Sequence, residues 1–409
     1  MKRFILATFI FALTLASCNQ RPDDDPANNP RQPVSLTTKS AEFVQKGAAF
    51  NLQFLERIDA ASAVDYIVSP LSMQFLLGMI LDGGRGETAD EICSVLGYGQ
   101  GEVGAVNEYC LSMLRQLPTL DKKTALNIAN AIFVDDGWPL LDSYKGAVKQ
   151  YYQAEVSNLD FSDGNASLKA INGWCSRHTH GLVPKILDDV DPNMLAYLLN
   201  AMYFKGQWKE KFPKSATTQT LFTTGSGTQK QVPMMKLVKN FGYQSDDIFR
   251  AVRLPYGNGA FSMTVFLPQT GHTLKEVVKR LKAIGWSGAE SMASSEVDLW
   301  LPRFETKYHI KLNDILSQMG MPRSFDPEKA DFKAMSLYAL YLSFVQQDAV
   351  IKVDEEGSEA AVVSSAGMMK ETAVGPGNLV IFHADEPFLY VITEASTGAI
   401  LFAGRYSGD

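Results

Sequence analysis

The sequence predicts an α+β fold in which one large domain carries extensive, mainly antiparallel β-sheet. Helix-like stretches dominate the early part of the chain and strand-like stretches the later part, without the alternation that repeated βαβ units would show. No proline- or glycine-rich linker divides residues 40–409. We therefore expect one domain that is larger than usual.

The helices are indicated by apolar spacing and by capping residues. Apolar side chains recur at helical spacing between Ala48 and Ile58. A second helix is expected over Pro70–Leu81, because proline is favoured in the first turn and the preceding Ser69 is a natural N-cap. The sequence from Thr88 to Glu91 has a capping-box pattern, which predicts the start of a third helix.

The strands are indicated by runs of β-branched and aromatic residues, several of them bounded by glycine or proline. These runs lie at residues 198–204, 261–267, 297–301, 350–353 and 388–393. Their concentration in the second half of the chain supports segregated helices and strands, as in an α+β protein.

The charge distribution excludes several classes of partner. The chain has 409 residues and a formal net charge of −7, and its lysines and arginines are scattered without a run of five or more. Such a chain has no general attraction to nucleic acid or to an anionic membrane. We expect no nucleic-acid partner, and no heparin site is evident.

The first 17 residues have the features of an export signal. Lys2 and Arg3 precede an apolar run from Phe4 to Leu15, which is too short for a permanent membrane span. The sequence LASC, ending at Cys18, resembles the lipobox of bacterial lipoproteins, in which the cysteine thiol receives a diacylglycerol after cleavage. An ordinary secretory signal with an incidental cysteine is the alternative. We predict lipidation of Cys18 and membrane contact through this anchor only.

The region after the signal is predicted to be a tether. Residues 18–38 comprise the acylated cysteine and a segment with almost no apolar content, typical of disorder, and residues 39–409 form the folded domain. The acidic run Asp23–Asp25 resembles an export tag for the outer face of the outer membrane, although a solvated linker explains it equally well. We expect a secreted lipoprotein of a Gram-negative-type bacterium, anchored in the outer membrane and, if the tag interpretation holds, exposed on the cell surface.

No familiar enzyme or metal motif has the context that it needs. The three cysteines after Cys18 have apolar neighbours and form no C-x-x-C pair, so buried free thiols are expected. The glycine pattern at residues 99–104 follows a helix-like stretch instead of a strand, which argues against a dinucleotide site. His178 and His180 lack a cysteine or carboxylate at ligand spacing. We predict no metal site and no cofactor.

The segment 353–372, VDEEGSEAAVVSSAGMMKET, has an unusual side-chain pattern. After the acidic cluster and Gly357, every second residue is small: Ser358, Ala360, Val362, Ser364 and Ala366. These residues would lie on one face of a strand. Small side chains there allow the segment to enter between two existing strands, whereas a large or charged one would clash or be buried unpaired. The segment is predicted to be a loop in one state and a central strand in another; a surface loop of small residues is the simpler alternative.

An ordered series of motifs resembles the serpin family. The segment Val353–Ala361 resembles the hinge of inhibitory serpins, and Val68–Ser72 and Leu199–Trp208 resemble two further family motifs. Strand and hairpin motifs of the family follow in order at residues 232–235, 254–256, 266–268, 301–304, 382–388 and 400–405. The resemblance extends from about residue 40 to the end of the chain.

The resemblance implies the serpin fold: a large central, mainly antiparallel sheet, two smaller sheets, eight to nine helices and an exposed reactive-centre loop at about residues 355–380. It implies a monomeric endopeptidase inhibitor that is not an enzyme. A serine protease, or also a cysteine protease, would attack the loop as a substrate. The cleaved hinge side would then insert into the central sheet and trap the protease as a covalent acyl-enzyme.

Two other functions were weighed against this one. A non-inhibitory serpin that binds or stores a ligand would be supported by bulky, charged or proline residues on the inserting face, where this chain has small ones. A hydrolase or nucleotide enzyme is disfavoured by the missing motifs.

The resemblance also implies roles for individual residues. The hinge comprises Glu355, Gly357, Ser358, Ala360, Ala361 and Val362. The polar shutter, which holds the central strands and then lets them part, comprises Ser69, Ser72 and Asn200. Trp208 matches the aromatic residue at the breach, where insertion begins, although core packing alone would also explain it. Gln347 stands where many members have a shutter histidine, so pH dependence from that histidine should be absent.

The scissile bond is predicted within Met369–Thr372. In the family, the residue that donates the scissile carbonyl lies about sixteen positions after the hinge glutamate, since the inserted strand must span the sheet. This count leads to the bond between Glu371 and Thr372, which suits glutamate-preferring proteases. Lys370 would suit trypsin-like enzymes, and Met368 or Met369 would suit chymotrypsin-, elastase- or papain-like ones. The loop is longer than usual on its C-terminal side, so several sites can overlap.

Overall fold

Eight α-helices and fifteen β-strands make up the part of the chain that the computed structural model describes, residues 28–289, 291–358 and 379–409. The helices are α1 (Thr38–Ala61), α2 (Pro70–Gly83), α3 (Gly86–Leu96), α4 (Val103–Gln116), α5 (Asp142–Tyr152), α6 (Gly164–His178), α7 (Leu274–Ala289) and α8 (Asn313–Met319). Helix α7 is kinked at Gly285, where φ is +71°.

The strands confirm each of the five predicted runs. They are β1 (Tyr66–Val68), β2 (Thr124–Asp135), β3 (Glu155–Leu159), β4 (Ala196–Gln207), β5 (Thr218–Thr223), β6 (Gln229–Ser245), β7 (Phe249–Pro255), β8 (Phe261–Pro268), β9 (Ala293–Pro302), β10 (Phe304–Lys311), β11 (Gln346–Val353), β12 (Gly357–Ser358), β13 (Val380–His383), β14 (Phe388–Glu394) and β15 (Ile400–Tyr406).

The helix starts agree with the sequence at α2 and differ at α3. Ser69 caps α2, because its side chain accepts a hydrogen bond from the backbone N–H of Ser72, and Pro70 occupies the first turn. The capping box predicted from Thr88 is wrong. Helix α3 begins at Gly86, and the Thr88 hydroxyl and the Glu91 carboxylate instead accept backbone N–H groups from a distant loop.

The central sheet has six strands in the order β10-β11-β12-β4-β2-β3. Its pairs are antiparallel except for β2 with β3. Helix α2 lies under one face of this sheet, and its side chains are buried along almost its whole length. Helix α6 covers the other face, where Ile171 and Trp174 share an apolar cluster with Ala131, Leu199 and Ala201. The middle of the sheet is therefore enclosed by helices.

The remaining strands form one continuous ladder, in the order β1-β15-β14-β8-β7-β6-β9-β13, with β5 also paired to β6. The two smaller sheets expected from the resemblance are joined because β6 is 17 residues long and belongs to both. Most of β6 pairs with β5 and β9, and its last residues pair with β7. The expected architecture is thus present, with its two further sheets connected.

The N-terminal arm, residues 28–37, already packs on the domain, which differs from the disordered tether expected through residue 38. The Asn29 side chain donates to Asp121 Oδ1 at 2.6 Å and accepts from the backbone N–H of Lys122. Val34 is buried, and the Gln116 amide bonds both backbone groups of Ser35. Sequence composition missed this contact because one buried valine among polar residues gives no periodic signal. Cys18 lies outside the described residues.

Two further observations concern the cysteines and the helices. Three cysteines are free and buried, as predicted, and burial raises the pKa of each thiol: Cys93, Cys110 and Cys175. Among the described helices, none combines the length and the apolar content that a bilayer crossing requires.

Candidate functional site

The predicted hinge begins in the turn after β11 and continues as a strand inside the central sheet. After β11 the chain reverses through a tight turn, in which the backbone N–H of Asp354 donates to the Gly357 carbonyl at 2.9 Å. Residues Gly357 and Ser358 then form β12, with Ser358 opposite Val353 of β11 and opposite Gly206 of β4. Strand β12 of the predicted hinge therefore lies between β11 and β4.

Close packing requires the residue types found in this short strand. A Cβ atom on Gly357 would lie 1.9 Å from the Gly206 carbonyl oxygen, so only glycine fits there. Ser358 is fully buried, and its hydroxyl lies 2.5 Å from the Tyr256 hydroxyl. A small polar side chain with a partner is thus placed on the inner face, as the alternation of residues 358–366 predicts.

Trp208 connects the hinge turn, residues 354–357, to the end of β4. Its indole N–H donates to the Asp354 carbonyl at 2.8 Å, and its backbone N–H donates to the Glu356 carbonyl at 2.8 Å. Its ring stacks on Tyr256, with centroids 4.5 Å apart and planes within 11°. Since Tyr256 also contacts Ser358, one aromatic pair supports both the turn and the hinge strand. Trp208 lies at the expected breach position and fills the core as well.

Two glutamates of the turn form ion pairs at the breach. Glu355 is buried, and its Oε1 accepts from Arg303 at 2.6 Å and from Thr217 at 2.7 Å. Burial acts to raise the pKa of Glu355, but the hydrogen bonds and the Arg303 charge outweigh burial and hold this pKa below its ordinary value. Glu356 is more exposed and pairs with Lys211 at 2.7 Å.

The four predicted shutter residues meet below the seam between β4 and β11. The Gln347 side chain bonds both backbone groups of Ser69, accepting from its N–H at 2.8 Å and donating to its carbonyl at 2.9 Å. The Ser72 hydroxyl donates to Asn200 Oδ1. Gln347 belongs to β11 and Asn200 to β4, so the first turn of α2 holds both strands from underneath.

The shutter network extends further than the motifs indicated. Asn200 donates to Asn130 at 2.6 Å, and Asn130 donates to the Tyr152 carbonyl at 2.7 Å. The Tyr152 hydroxyl donates to Asn107, whose amide donates to Asp82. Burial raises the pKa of Tyr152 far above its ordinary range, so this hydroxyl is neutral at physiological pH. Asn130, one of two asparagines in the largely apolar strand β2, was the sequence signal for this extension.

Below Ser358, the described residues of β4 and β11 do not pair with each other. In the described residues β4 pairs with β2 and β12, and β11 pairs with β10 and β12, but no pairing joins β4 to β11. A cavity of about 80 Å³ lies between the start of β4 and the approach to β11, and a smaller one of about 20 Å³ lies between Met202 and Val350. Three side chains of β4 that face α2 are only half-buried: Leu198, Asn200 and Met202. The two strands thus border a slot.

Other sequence-predicted residues lie outside the described part of the chain. These are the inner hinge residues Ala360, Ala361 and Val362, and the candidates for the scissile bond, Met368, Met369, Lys370, Glu371 and Thr372. Several residues at the site were missed by the sequence analysis: Thr217, Tyr256, Arg303 and Asn130. Arg303 and Tyr256 belong to recognised family motifs, but their partner in the hinge could not be read from the motifs.

Three weaker candidates carry no catalytic arrangement. The glycine pattern at residues 99–104 follows the end of α3, as expected, so no strand precedes it. His178 contacts Glu155, whereas His180 stacks on Tyr203, so the two histidines serve different neighbours. Within the described ranges, one cluster of three carboxylates has oxygens within 4.8 Å of one another: Asp135, Asp136 and Asp160. Oxygens of this cluster already accept backbone N–H groups of neighbouring turns.

Comparisons with known proteins agree with this geometry. The family model described as serpin (serine protease inhibitor) matches residues 27–408. Serpin B6 of Pongo abelii is 32% identical over 374 residues, covering 89% of this chain and 99% of that protein.

Two solved structures have a similar fold. The thermophilic serpin tengpin in its native state has a TM-score of 0.82 at 27% identity and covers 92% of this chain and 96% of its own. Thyroxine-binding globulin in complex with thyroxine has a TM-score of 0.79 at 26% identity, with coverage of 90% and 99%. The matches span nearly the whole chain and include the motifs that form the breach and the shutter. This chain therefore belongs to the serpin family, a family of protease inhibitors and not of enzymes.

Proposed function

We propose that this protein inhibits serine proteases by cleavage of its reactive loop and insertion of the cleaved hinge into the slot between β4 and β11. One observation carries the proposal: strand β12 occupies the upper end of that slot, while the two strands below it pair with other neighbours and not with each other. A strand that continues from Ser358 would complete the six-stranded sheet with hydrogen bonds on both sides.

The register of β12 supports the insertion of the following residues. Ser358 lies opposite Gly206 in an antiparallel pair, so each step along the loop is one step back along β4. Continued in this way, Val362 would lie beside Met202, Ser364 beside Asn200, and Ala366 beside Leu198. These three residues of β4 are the half-buried ones that face α2. Small side chains would cover them without displacing the core.

The same register supports the proposed scissile region. Met368 would lie opposite Ala196, the first residue of β4. A cut within Met369–Thr372 therefore leaves a segment long enough to fill the whole strand. Lys370 and Glu371 remain the leading donors of the scissile carbonyl, with Met368 and Met369 as overlapping sites. Cysteine proteases are a second proposed target class through these methionines.

The test is trapping of proteases by two matched variants. Val362→Arg places a charge on the face that must enter the sheet, whereas Val363→Arg places the same charge on the opposite face. The wild type should form covalent complexes with trypsin, chymotrypsin, elastase or a glutamate-specific endopeptidase on denaturing gels. The two variants are compared with the last three proteases only, because trypsin would cut at the new arginine, and Val363→Arg should still form complexes with the proteases that the wild type traps. Val362→Arg should be cleaved without trapping, because the arginine would be buried unpaired. Equal trapping by both variants would contradict insertion along this register.

A binding function without inhibition is the second candidate, and one observation favours weighing it. The similar structure of thyroxine-binding globulin is described as a complex with thyroxine, so a serpin-like fold can serve as a binding protein. The same set of proteases, tested with the wild type, separates the two functions. Clipping of the wild-type loop without a covalent complex would support the binding function and exclude the inhibitory one.

We further propose that a bacterial outer membrane holds this inhibitor through lipidated Cys18. The support is the LASC sequence after an apolar stretch, followed by a polar segment. Two or more acyl chains on one cysteine give durable anchoring, so Cys18→Ala should move the protein from the membrane fraction to the soluble fraction, while the control Ser17→Ala should not. Display on the cell surface, supported by Asp23–Asp25, predicts loss of the protein from intact cells treated with external protease. Unchanged fractionation of Cys18→Ala would contradict the anchor.

A further inference from the structure

An apolar cavity lies at the lower end of the slot between β4 and β11, at the end away from β12. Its walls come from α2, from the first residues of β4 and from the segment before β11. Apolar side chains of these walls are Leu76, Ile80, Ala196, Leu198, Phe332 and Met335. Its volume is about 80 Å³. Since a water molecule takes about 30 Å³ in the liquid, this space, here called the base cavity, accommodates roughly two or three further heavy atoms.

The base cavity lies on the face of the central sheet that α2 covers. Ala196 and Leu198 alternate along β4 with Leu199, which packs in the apolar cluster on the opposite face. Asn200, on the same face as Leu198, contacts Ser72 of α2. An inserted strand would therefore meet the cavity with those of its side chains that point toward α2.

Two counts along the neighbouring strands bring Met368 of the reactive loop to the base cavity. Continued along β4 from the pairing of Ser358, the antiparallel register places Met368 beside Ala196. Continued in the same way along β11 and the segment before it, the register places Met368 beside Ser343. Ala196 and Ser343 both line the cavity. An even number of residues separates Met368 from Ser358, so the methionine would point to the same buried face of the sheet.

Met368 is the first long side chain on the inserting face. The earlier residues of that face, from Ser358 to Ala366, are small, and they would cover side chains of β4 that are already half-buried. The pattern changes to methionine at the position where the cavity begins. A methionine side chain is unbranched and flexible, so it adapts to irregular apolar gaps, and it carries three heavy atoms beyond Cβ. The size of the side chain and the size of the cavity therefore agree at this position.

We propose that the side chain of Met368 fills the base cavity after cleavage of the loop and thereby fixes the lower end of the inserted strand. This inference rests on the proposed inhibitory function and names the positioning residue that completes insertion. Burial of the methionine stabilises the inserted state alone, because the cavity receives it only when the strand reaches the start of β4. The stabilisation therefore arises at the last step of insertion, while hydrolysis of the acyl-enzyme still competes.

The experiment compares melting temperatures before and after cleavage by trypsin at Lys370, with the cut verified by mass spectrometry. Met368→Ala should lose about 6 °C of the gain that cleavage gives the wild type, because a cavity is left in the inserted state. Met368→Leu keeps the volume and should retain most of the gain. The matched control Met369→Ala removes the same side chain from the opposite face and should retain the full gain. The uncleaved forms of all three variants should melt with the uncleaved wild type.

A further variant fills the cavity from its wall. Ala196→Leu adds three heavy atoms at the start of β4, in the space that Met368 would occupy. It should reduce the gain after cleavage when the loop is wild type. Combined with Met368→Ala it should restore part of the gain, because the two changes compensate only if the side chains meet in the inserted state. The uncleaved melting temperature of Ala196→Leu provides the control for its effect on the native fold.

The outcomes separate failure of this inference from failure of the proposed function. If the cleaved wild type gains stability and Met368→Ala gains as much, Met368 does not fill the cavity, and insertion and inhibition stand. Strictly additive losses from Ala196→Leu and Met368→Ala would also overturn the inference, because they place the methionine outside the cavity. A wild type that gains no stability after clean cleavage would contradict insertion itself, and this inference with it.

Discussion

The breach and the shutter hold the same seam of the central sheet with different chemistry. At the breach, the Glu355 carboxylate and the Arg303 guanidinium meet near a second ion pair of Glu356 with Lys211, and the Trp208 indole packs over the turn. At the shutter, amides and hydroxyls connect β11 and β4 to the first turn of α2. The desolvation cost of charged groups is small at the breach because about half of the side-chain surface of Arg303 and of Lys211 stays in contact with water. Deeper in the sheet, an unpaired charge would be too costly, so neutral groups serve there.

The breach and the shutter would open in different ways during insertion of the loop. The ion pairs at the breach can separate and become hydrated one at a time, because Arg303 and Lys211 already contact water. The shutter has to exchange partners in a buried space, where each lost hydrogen bond leaves a group without water. We therefore expect the breach to respond to pH and the shutter to respond to the removal of single amides.

The largest effect is expected from Trp208→Ala at the breach. The change removes a buried ring stacked on Tyr256 and the donor to the Asp354 carbonyl, and such truncations cost about 3–5 kcal/mol of unfolding free energy. Urea unfolding would measure the loss. Trp208→Phe keeps most of the ring contact and should lose clearly less. If the alanine variant is as stable as the wild type, Trp208 does not hold the breach.

A smaller effect is expected from Asn200→Ala at the shutter. The Ser72 hydroxyl would lose its acceptor and Asn130 would lose its donor, and leaving buried polar groups unpaired costs about 1–3 kcal/mol. Urea unfolding at pH 7 and pH 5 should give the same loss at both values, because no titrating group is removed. Asn240→Ala, on an exposed part of β6, is the control and should be neutral. A loss that depends on pH would show that the shutter is not governed by neutral groups.

The smallest effect, about 1 kcal/mol, is expected from Glu355→Gln at pH 7. The folded-state pKa of Glu355 lies below its unfolded value of about 4.3. Its ionised form therefore stabilises the protein fully above that value, and this stabilisation is lost as the pH falls through the folded-state pKa. The difference in unfolding free energy between variant and wild type should shrink between pH 5 and pH 3. A difference that stays constant over this range would show that the ion pair between Glu355 and Arg303 does not contribute to stability.

The sequence predicted the parts of this site that lie in continuous motifs. Gly357 and Ser358 could be assigned because small residues alternate after an acidic turn, and Ser69 because a serine precedes a proline at a helix start. The placement of Gln347 beside Ser69 also followed from motif position. The positions of these residues could be predicted because local pattern and family motif point to the same geometry.

The remaining parts depend on contacts between segments far apart in the chain. Glu355 pairs with Arg303, 52 residues away, and Asn200 pairs with Asn130, 70 residues away. No periodicity in a single sequence reports such a contact. The missing pairing between the described residues of β4 and β11 is likewise a tertiary property, since the sequence of each strand is that of an ordinary buried strand. The docked arm at Val34 was missed because its partners lie in α4 and near the C-terminus.

The melting temperature after loop cleavage tests the central claim most directly. Insertion would add roughly ten net backbone hydrogen bonds of about 1 kcal/mol each. At about 2 °C per kcal/mol for a large domain, the wild type should gain about 20 °C after a single cut within Met369–Thr372. Val362→Arg, cut at the same bond, should gain little. An unchanged melting temperature of the cleanly cleaved wild type would contradict insertion between β4 and β11.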